Sequence, residues 1–295
     1  MLTNLQALPY TKMTVIHLDH LIKLALEEDL PDTDVTQSCL NLSVKNIEAT
    51  LIAKSPGIFY GVNVINACCH TLSPPLTSQI NCIDGQEVAS GEVIAQFFGP
   101  STTLLKIERT MLNFLQRLSG IATVTNQFVL ALNNNHIQLL DTRKTTPGLR
   151  ILEKQAVVAG GGHNHRHSLS DMVLIKENHL RSFLLSHAQS DLGNMLEQWK
   201  HAHPDIPIEI EISSSKELQQ YELSSADIIM LDNFSHHNIS QASQFIRARY
   251  PKTKIEVSGN ITLNTIQQYR NLDIDRISVG SLTHSVRALD LSLLF

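Results

Sequence analysis

The stretch IPIEIEISSSKELQQYELSSADIIMLDN, residues 206–233, decides the fold class. Two short apolar runs, IPIEIEISS and ADIIMLDN, flank a helix-like segment, and each run closes on an acid, Glu211 and Asp232. Alternation of this kind marks a parallel sheet or a barrel. The rhythm continues on both sides, in IQLLDTRK (137–144), DMVLIKENH (171–179), KIEVSGN (254–260) and DRISVGS (275–281). Each run delivers polar or small residues at its C-terminal end: Arg143 and Lys144, Lys176, Glu211, Asp232, Ser258 and Gly259, Gly280 and Ser281. In a doubly wound sheet such residues gather at one switch point. In a (β/α) barrel every strand end faces one mouth, so polar residues at all these ends predict the barrel.

The chain before residue 137 has a different texture. Ile16, Leu18, Leu21, Ile22, Leu24 and Leu26 make a helix-like stripe. From 47 to 99 short strands are expected in IEATLIAKS, GIFYGV, SQINCID and EVIAQFFG, with a helix in VNVINACCHTL. Together these predict a small α+β domain. A long helical stretch from Ser101 to Asn133 follows, which Gly120 is expected to divide in two.

Composition excludes some classes. The 295 residues carry a net charge of −5, against a nucleic-acid binder held by bulk charge. The start of the chain lacks the basic, apolar and small-residue order of a secretion signal, and no apolar run approaches a membrane span. Cys39, Cys68, Cys69 and Cys82 make no CxxC pair and read as reduced core thiols of a cytoplasmic protein.

Between Asp141 and His179 stand Arg143, Lys144, Arg150, Lys154, Arg166 and Lys176. A barrel mouth with this content suits a polyanion, because Arg offers a planar fork and Lys a compact charge. Arg150 and Lys154 fall on a helix after Pro147-Gly148 and are expected on a solvated or interface face. Glu209 and Glu211 share a strand face; Glu211 is nearer the end and is taken as functional, Glu209 as structural. Carboxylates at such a mouth hold Mg²⁺, bond sugar hydroxyls or stabilise positive charge on a sugar carbon. Ser258-Gly259-Asn260 and Gly280-Ser281 offer backbone N–H groups for a phosphate. GGGHNHRH, 160–167, has no acid nearby to orient His163, His165 and His167, so a flexible anion-binding loop is expected rather than a zinc site.

ERTMLNFLQRLSGIAT, DTRKTTPGLRILEKQAVVAGGG, NHRHSLSDMVLIKENH, EIEISS, MLDN and ISVGSLTHS, in that order, resemble the quinolinate phosphoribosyltransferase family from about His17 to Leu291. The resemblance implies an N-terminal α/β sandwich, 1–115, to which the tail 282–295 returns, and an open α/β barrel of fewer than eight strands, 116–281. It implies a Mg²⁺-dependent transfer from 5-phosphoribosyl 1-pyrophosphate to quinolinate with loss of CO₂. By motif, Arg109 would come from the neighbour in a homodimer, and Arg143, His165, Arg166 and Lys176 would surround quinolinate. Lys144, Glu211 and Asp232 would serve the donor and its Mg²⁺, and Ser258, Gly259, Asn260, Gly280, Ser281 and His284 its phosphate. Asn260 stands where the family usually has a second glycine, which suits it if the backbone there needs positive φ. The rivals are a relative acting on nicotinate or another carboxylated heterocycle, and a lyase barrel with Lys176 as Schiff base.

Overall fold

The computed structural model describes residues 10–295, with side chains from Leu18 onward; residues 1–9 of the expected first domain and the Ile16 side chain lie outside the described residues. The order begins α1 (Tyr10–Asp29), α2 (Val35–Cys39), β1 (Asn46–Ala53), β2 (Gly57–Ile58), α3 (Val62–Thr71) and β3 (Thr77–Ile80). It continues with β4 (Glu87–Val88), β5 (Val93–Pro100), α4 (Ser101–Leu132), β6 (Gln138–Leu140), α5 (Arg150–Ala159) and β7 (Val173–Ile175). Then come α6 (Glu177–Phe183), α7 (Asp191–Ala202), β8 (Ile208–Ile212), α8 (Ser215–Gln220) and β9 (Ile228–Asp232). It ends with α9 (His236–Arg249), β10 (Lys254–Ser258), β11 (Arg276–Ser278), α10 (Ser281–His284) and β12 (Leu291–Leu294).

The chain divides into two compact units. One runs to Val124 and adds Pro147–Gly161 and Val286–Phe295; the other holds Thr125–Thr146 and Gly162–Ser285.

The first unit is built on an antiparallel sheet in the order β12-β1-β5-β3. Ala49, Leu51 and Ala53 of β1 alternate into its core, the period-two pattern of a sheet with one covered face. α3 buries Val64, Ile65, Cys68 and Cys69. All four cysteines are free; Cys68, Cys69 and Cys82 are buried, whereas Cys39, expected in the core, is exposed on the short α2. Gly120 does not divide α4, which is one helix from Ser101 to Leu132. Glycine costs a helix about 1 kcal/mol, and the stripe Ile107, Met111, Leu115, Leu118 and Ile121, each 1% exposed or less, outweighs it. The glycine serves a close approach instead: a Cβ there would lie 2.4 Å from the Arg287 carbonyl oxygen. Lys154 corrects a second expectation. It is fully buried, not solvated, and Arg150 is half-buried. α5 turns Leu152, Glu153, Lys154, Ala156 and Val157 inward, and Arg117 donates to the buried Glu153 Oε1 through Nε (2.9 Å) and Nη2 (2.7 Å).

The second unit is a six-stranded parallel sheet in the order β6-β11-β10-β9-β8-β7. This is sequential order with first and last strands paired, as in a barrel. Among the described residues no ladder joins β6 to β7, so the barrel is open there. His163 partly fills the seam: its N–H donates to Leu139 O (2.8 Å) and its carbonyl accepts from Asp141 N–H (3.2 Å). β8, β9 and β10 are buried almost throughout, as strands covered on both faces must be. β9 turns polar only at its C-terminal Asp232, while β8 and β10 also bury Glu209 and Glu256 in mid-strand.

Candidate active site

Those ends open into a cavity of about 570 Å³. β6 stops at Leu140, and the fully buried Asp141 braces the segments beyond it. Its Oδ1 accepts from His165 N–H (2.9 Å) and its Oδ2 from Asn164 Nδ2 (2.6 Å). Thr142 Oγ1 accepts from Lys144 N–H (3.0 Å). This bracing brings Arg143, Lys144, His165 and Arg166 to the cavity wall. Arg143 Nε is buried and donates to nothing among the described residues. Arg166 Nη1 donates to Met172 O (3.0 Å). Burial, and then the charge on Arg143, hold the Arg166 pKa below its ordinary value. An anion between the two guanidiniums would relieve both effects.

The next strand ends add mixed charge. Lys176 Nζ donates to Glu211 Oε2 at 2.6 Å. Asp232 Oδ2 accepts from Asn233 Nδ2 (2.7 Å). Burial first, then the Glu211 carboxylate, raise the Asp232 pKa. Two crowded carboxylates could hold Mg²⁺, which takes one or two protein carboxylates and fills its remaining positions with water and phosphate oxygens.

Ser258, Gly259 and Asn260 also line the cavity. Gly259 has φ +99°, and a Cβ on it would lie 2.2 Å from Asn233 Oδ1 and 2.9 Å from the Asn233 backbone nitrogen. Only glycine fits there. Asn260 has φ +53°, which meets the condition under which asparagine is the best replacement for glycine, and its Nδ2 donates to Asn233 Oδ1 (3.1 Å). Gly280 abuts Lys144: a Cβ there would lie 3.0 Å from Lys144 Cδ and 3.2 Å from the His284 ring. Gly280, Ser281 and His284 do not line the cavity, whereas Ser278 does. Arg109 is exposed on α4 in the first unit and is also not part of the wall.

The His-rich segment departs from its expectation twice. It is not a loose loop: Asp171 accepts from His167 N–H (2.6 Å), Ser168 N–H (3.1 Å) and Ser168 Oγ (2.5 Å). Burial alone would raise the Asp171 pKa, but these bonds overcome it and hold the group below the ordinary carboxylate value. Nor is it without acids. His165 Nε2 lies 3.1 Å from Glu209 Oε2 and 3.4 Å from Glu256 Oε1, and both carboxylates are fully buried. Burial disfavours charge on His165, but the two acids prevail and lift its pKa to about 9. Arg166 N–H donates to His165 Nδ1 (2.8 Å), so Nδ1 presents a lone pair and the carboxylates hold the proton on Nε2. The acids thus favour a second ring proton, while the Arg166 N–H occupies the nitrogen that would take it; the geometry favours the neutral ring. Glu256 escaped the sequence reading because it is a single acid amid KIEVS. Ser278 and Asn233 were missed too; their position at strand ends was the available signal.

Residues 34–119 match the family described as "Quinolinate phosphoribosyl transferase, N-terminal domain", and residues 121–294 its "C-terminal domain". A protein of Bacillus subtilis named "Probable nicotinate-nucleotide pyrophosphorylase (carboxylating)" is 38% identical, over 95% of this chain and 94% of its own. The "Nicotinate-nucleotide pyrophosphorylase (carboxylating)" of Mycobacterium leprae is 34% identical, over 92% of this chain and 95% of its own. The crystal structure of NadC from Streptococcus pyogenes superposes with a TM-score of 0.84 at 36% identity, over 95% of this chain and 97% of that one.

Proposed function

The chain belongs to the quinolinate phosphoribosyltransferase family, and we propose that its barrel mouth transfers phosphoribose to quinolinate with decarboxylation, yielding nicotinate mononucleotide. The observation that carries the site assignment is the convergence of Arg143, Arg166 and Lys176 on one cavity wall with Glu211 and Asp232 opposite in charge beside them. Three cations suit a pyridine diacid better than a monocarboxylate such as nicotinate. The lyase reading falls with family membership, and Lys176 is already engaged by Glu211.

Quinolinate would dock its carboxylates on Arg143, Arg166 and Lys176, the forks giving planar alignment and the lysine a point charge. Lys144 would meet the donor's pyrophosphate, and the Ser258–Asn260 turn with the start of α10 (Gly280, Ser281, His284) its 5′-phosphate. The C1–oxygen bond to pyrophosphate breaks as the quinolinate nitrogen forms its bond to C1. That nitrogen brings its own lone pair, so no general base is needed; alignment and electrostatics do the work. Glu211 and Asp232 would stabilise positive charge on the ribose, as carboxylates do in glycoside cleavage. Mg²⁺ held by these acids would neutralise the leaving pyrophosphate. The ring, now a pyridinium, accepts the electron pair of the breaking C2–carboxylate bond; CO₂ leaves and C2 takes a proton.

Arg109, exposed on its helix, would complete the site of a second copy in a homodimer. A cytoplasmic location fits the free, buried Cys68, Cys69 and Cys82. No described helix is long and apolar enough to cross a membrane. The reading is tested by offering quinolinate and nicotinate separately with the phosphoribosyl donor and Mg²⁺. Turnover of quinolinate with CO₂ release is expected; turnover of nicotinate alone would refute it.

A further inference from the structure

Behind His165, which lines the cavity, lies a charge cluster of Glu209, Glu256 and Arg276 to which the transfer chemistry above assigns no step. Glu209 on β8 and Glu256 on β10 are fully buried and converge on His165 Nε2, at 3.1 and 3.4 Å. Arg276 on β11 stands opposite Glu256 in register, with its Nε 3.4 Å from Glu256 Oε2. His165 Nδ1 accepts the Arg166 backbone N–H at 2.8 Å. Both ring nitrogens are therefore engaged by the protein, one toward the barrel interior and one toward the residue that carries a cavity guanidinium.

One histidine and two carboxylates this close also have the donor set of a metal site. Two features argue for a proton instead. A metal on Nε2 would force the ring proton onto Nδ1, against the Arg166 N–H. Glu256 also already has a cation beside it in Arg276. Isolated buried carboxylates are costly, and chains keep them where they fix a geometry.

We propose that Glu209 and Glu256 are positioning residues that hold His165 as a strut, setting the Arg166 backbone and hence the guanidinium that receives quinolinate. This rests on the reading of the cavity as a quinolinate site. The strut acts on the quinolinate half alone. Arg166 lies one peptide bond beyond His165, whereas Glu209 and Glu256 stand on the strands that carry Glu211 and Ser258, so an unchanged donor KM is what separates a strut for Arg166 from a general loss of strand geometry.

The test varies each substrate at saturating concentration of the other, in wild type, Glu209→Gln and Glu256→Gln. Each substitution keeps the shape and replaces the carboxyl group with an amide. The quinolinate KM should rise about tenfold while the donor KM stays within about twofold. His165→Asn combined with Glu256→Gln should lose no more than the worse single variant, since both break one strut. An unchanged quinolinate KM, or equal rises in both KM values, would overturn the proposal. Should the glutamine variants fail to fold, nitrogen NMR of the wild-type His165 ring decides. A neutral ring protonated on Nε2 is expected; a ring protonated on Nδ1, or one equivalent of Zn²⁺ retained through dialysis, would overturn it. A wild type inert on quinolinate would refute the functional reading separately, and the ring signal would still judge the strut.

Discussion

Arg166 is the residue on which the proposed quinolinate site most depends. It shares a wall with Arg143 and donates to Met172 O, and burial, then the Arg143 charge, lower its pKa. Arg166→Ala should lower kcat/KM for quinolinate by about 100-fold, the loss of about 2.7 kcal/mol of charge-assisted bonding. Steady-state kinetics against Arg150→Ala, whose side chain belongs to the other unit, checks this. At the phosphate turn, Gly259→Ala should cost about 100-fold in kcat/KM for the donor, because the added Cβ meets Asn233 backbone as well as side chain. Asn260→Gly should cost less than about threefold, since glycine accepts φ +53° freely. Equal losses in the two variants would show that the turn is not set by backbone conformation. These end-of-strand residues were legible in the sequence because a parallel strand announces its C-terminus by the switch from apolar to polar. Glu256 was not, because its meaning comes from His165, which lies about 90 residues away in the chain.

Elements were legible where their pattern is local and hidden where their purpose is a contact. β8 and β9 read as strands from IEIEI and IIMLD and are strands. Gly120 read as a break because glycine usually is one, yet its missing side chain admits the 286–288 backbone to the middle of α4. Gly120→Ala should therefore destabilise by about 1–2 kcal/mol, the overpacking cost exceeding the gain in helix propensity, as denaturant melts would measure. A more stable variant would contradict this. Lys154 read as solvated because its helix follows a turn; the burial of α5 depends on residues far off in the sequence, such as Arg117. The 160–167 stretch read as a flexible loop because Asp171, which accepts from the His167 and Ser168 N–H groups, lies beyond it. Its folded pKa is below the unfolded value, so its stabilisation is present above the ordinary carboxylate pKa and lost as pH falls through the folded one. Asp171→Asn should accordingly be less stable than wild type at neutral pH, with the gap closing as pH falls through the lowered folded pKa. A gap that persists in acid would contradict it.

At the scale of the molecule, the strand order β6-β11-β10-β9-β8-β7 gathers residues 142 to 278 around one opening. Positive charge collects from the segments next to the open seam, negative charge from β8 and β9. On the proposed function, this arrangement would separate a diacid subsite from a place for the sugar cation and the metal. If Arg109 serves a second copy, mixing Arg109→Ala with Lys176→Ala chains should restore about a quarter of wild-type activity, since half the dimers then carry one intact site. No recovery after exchange would show that Arg109 does not serve the neighbour's site. The decisive experiment incubates the wild type with quinolinate, 5-phosphoribosyl 1-pyrophosphate and Mg²⁺ and counts products. Equal amounts of CO₂, pyrophosphate and nicotinate mononucleotide are expected, abolished by chelating the metal; pyrophosphate released without CO₂, or no consumption of quinolinate, would contradict the assignment.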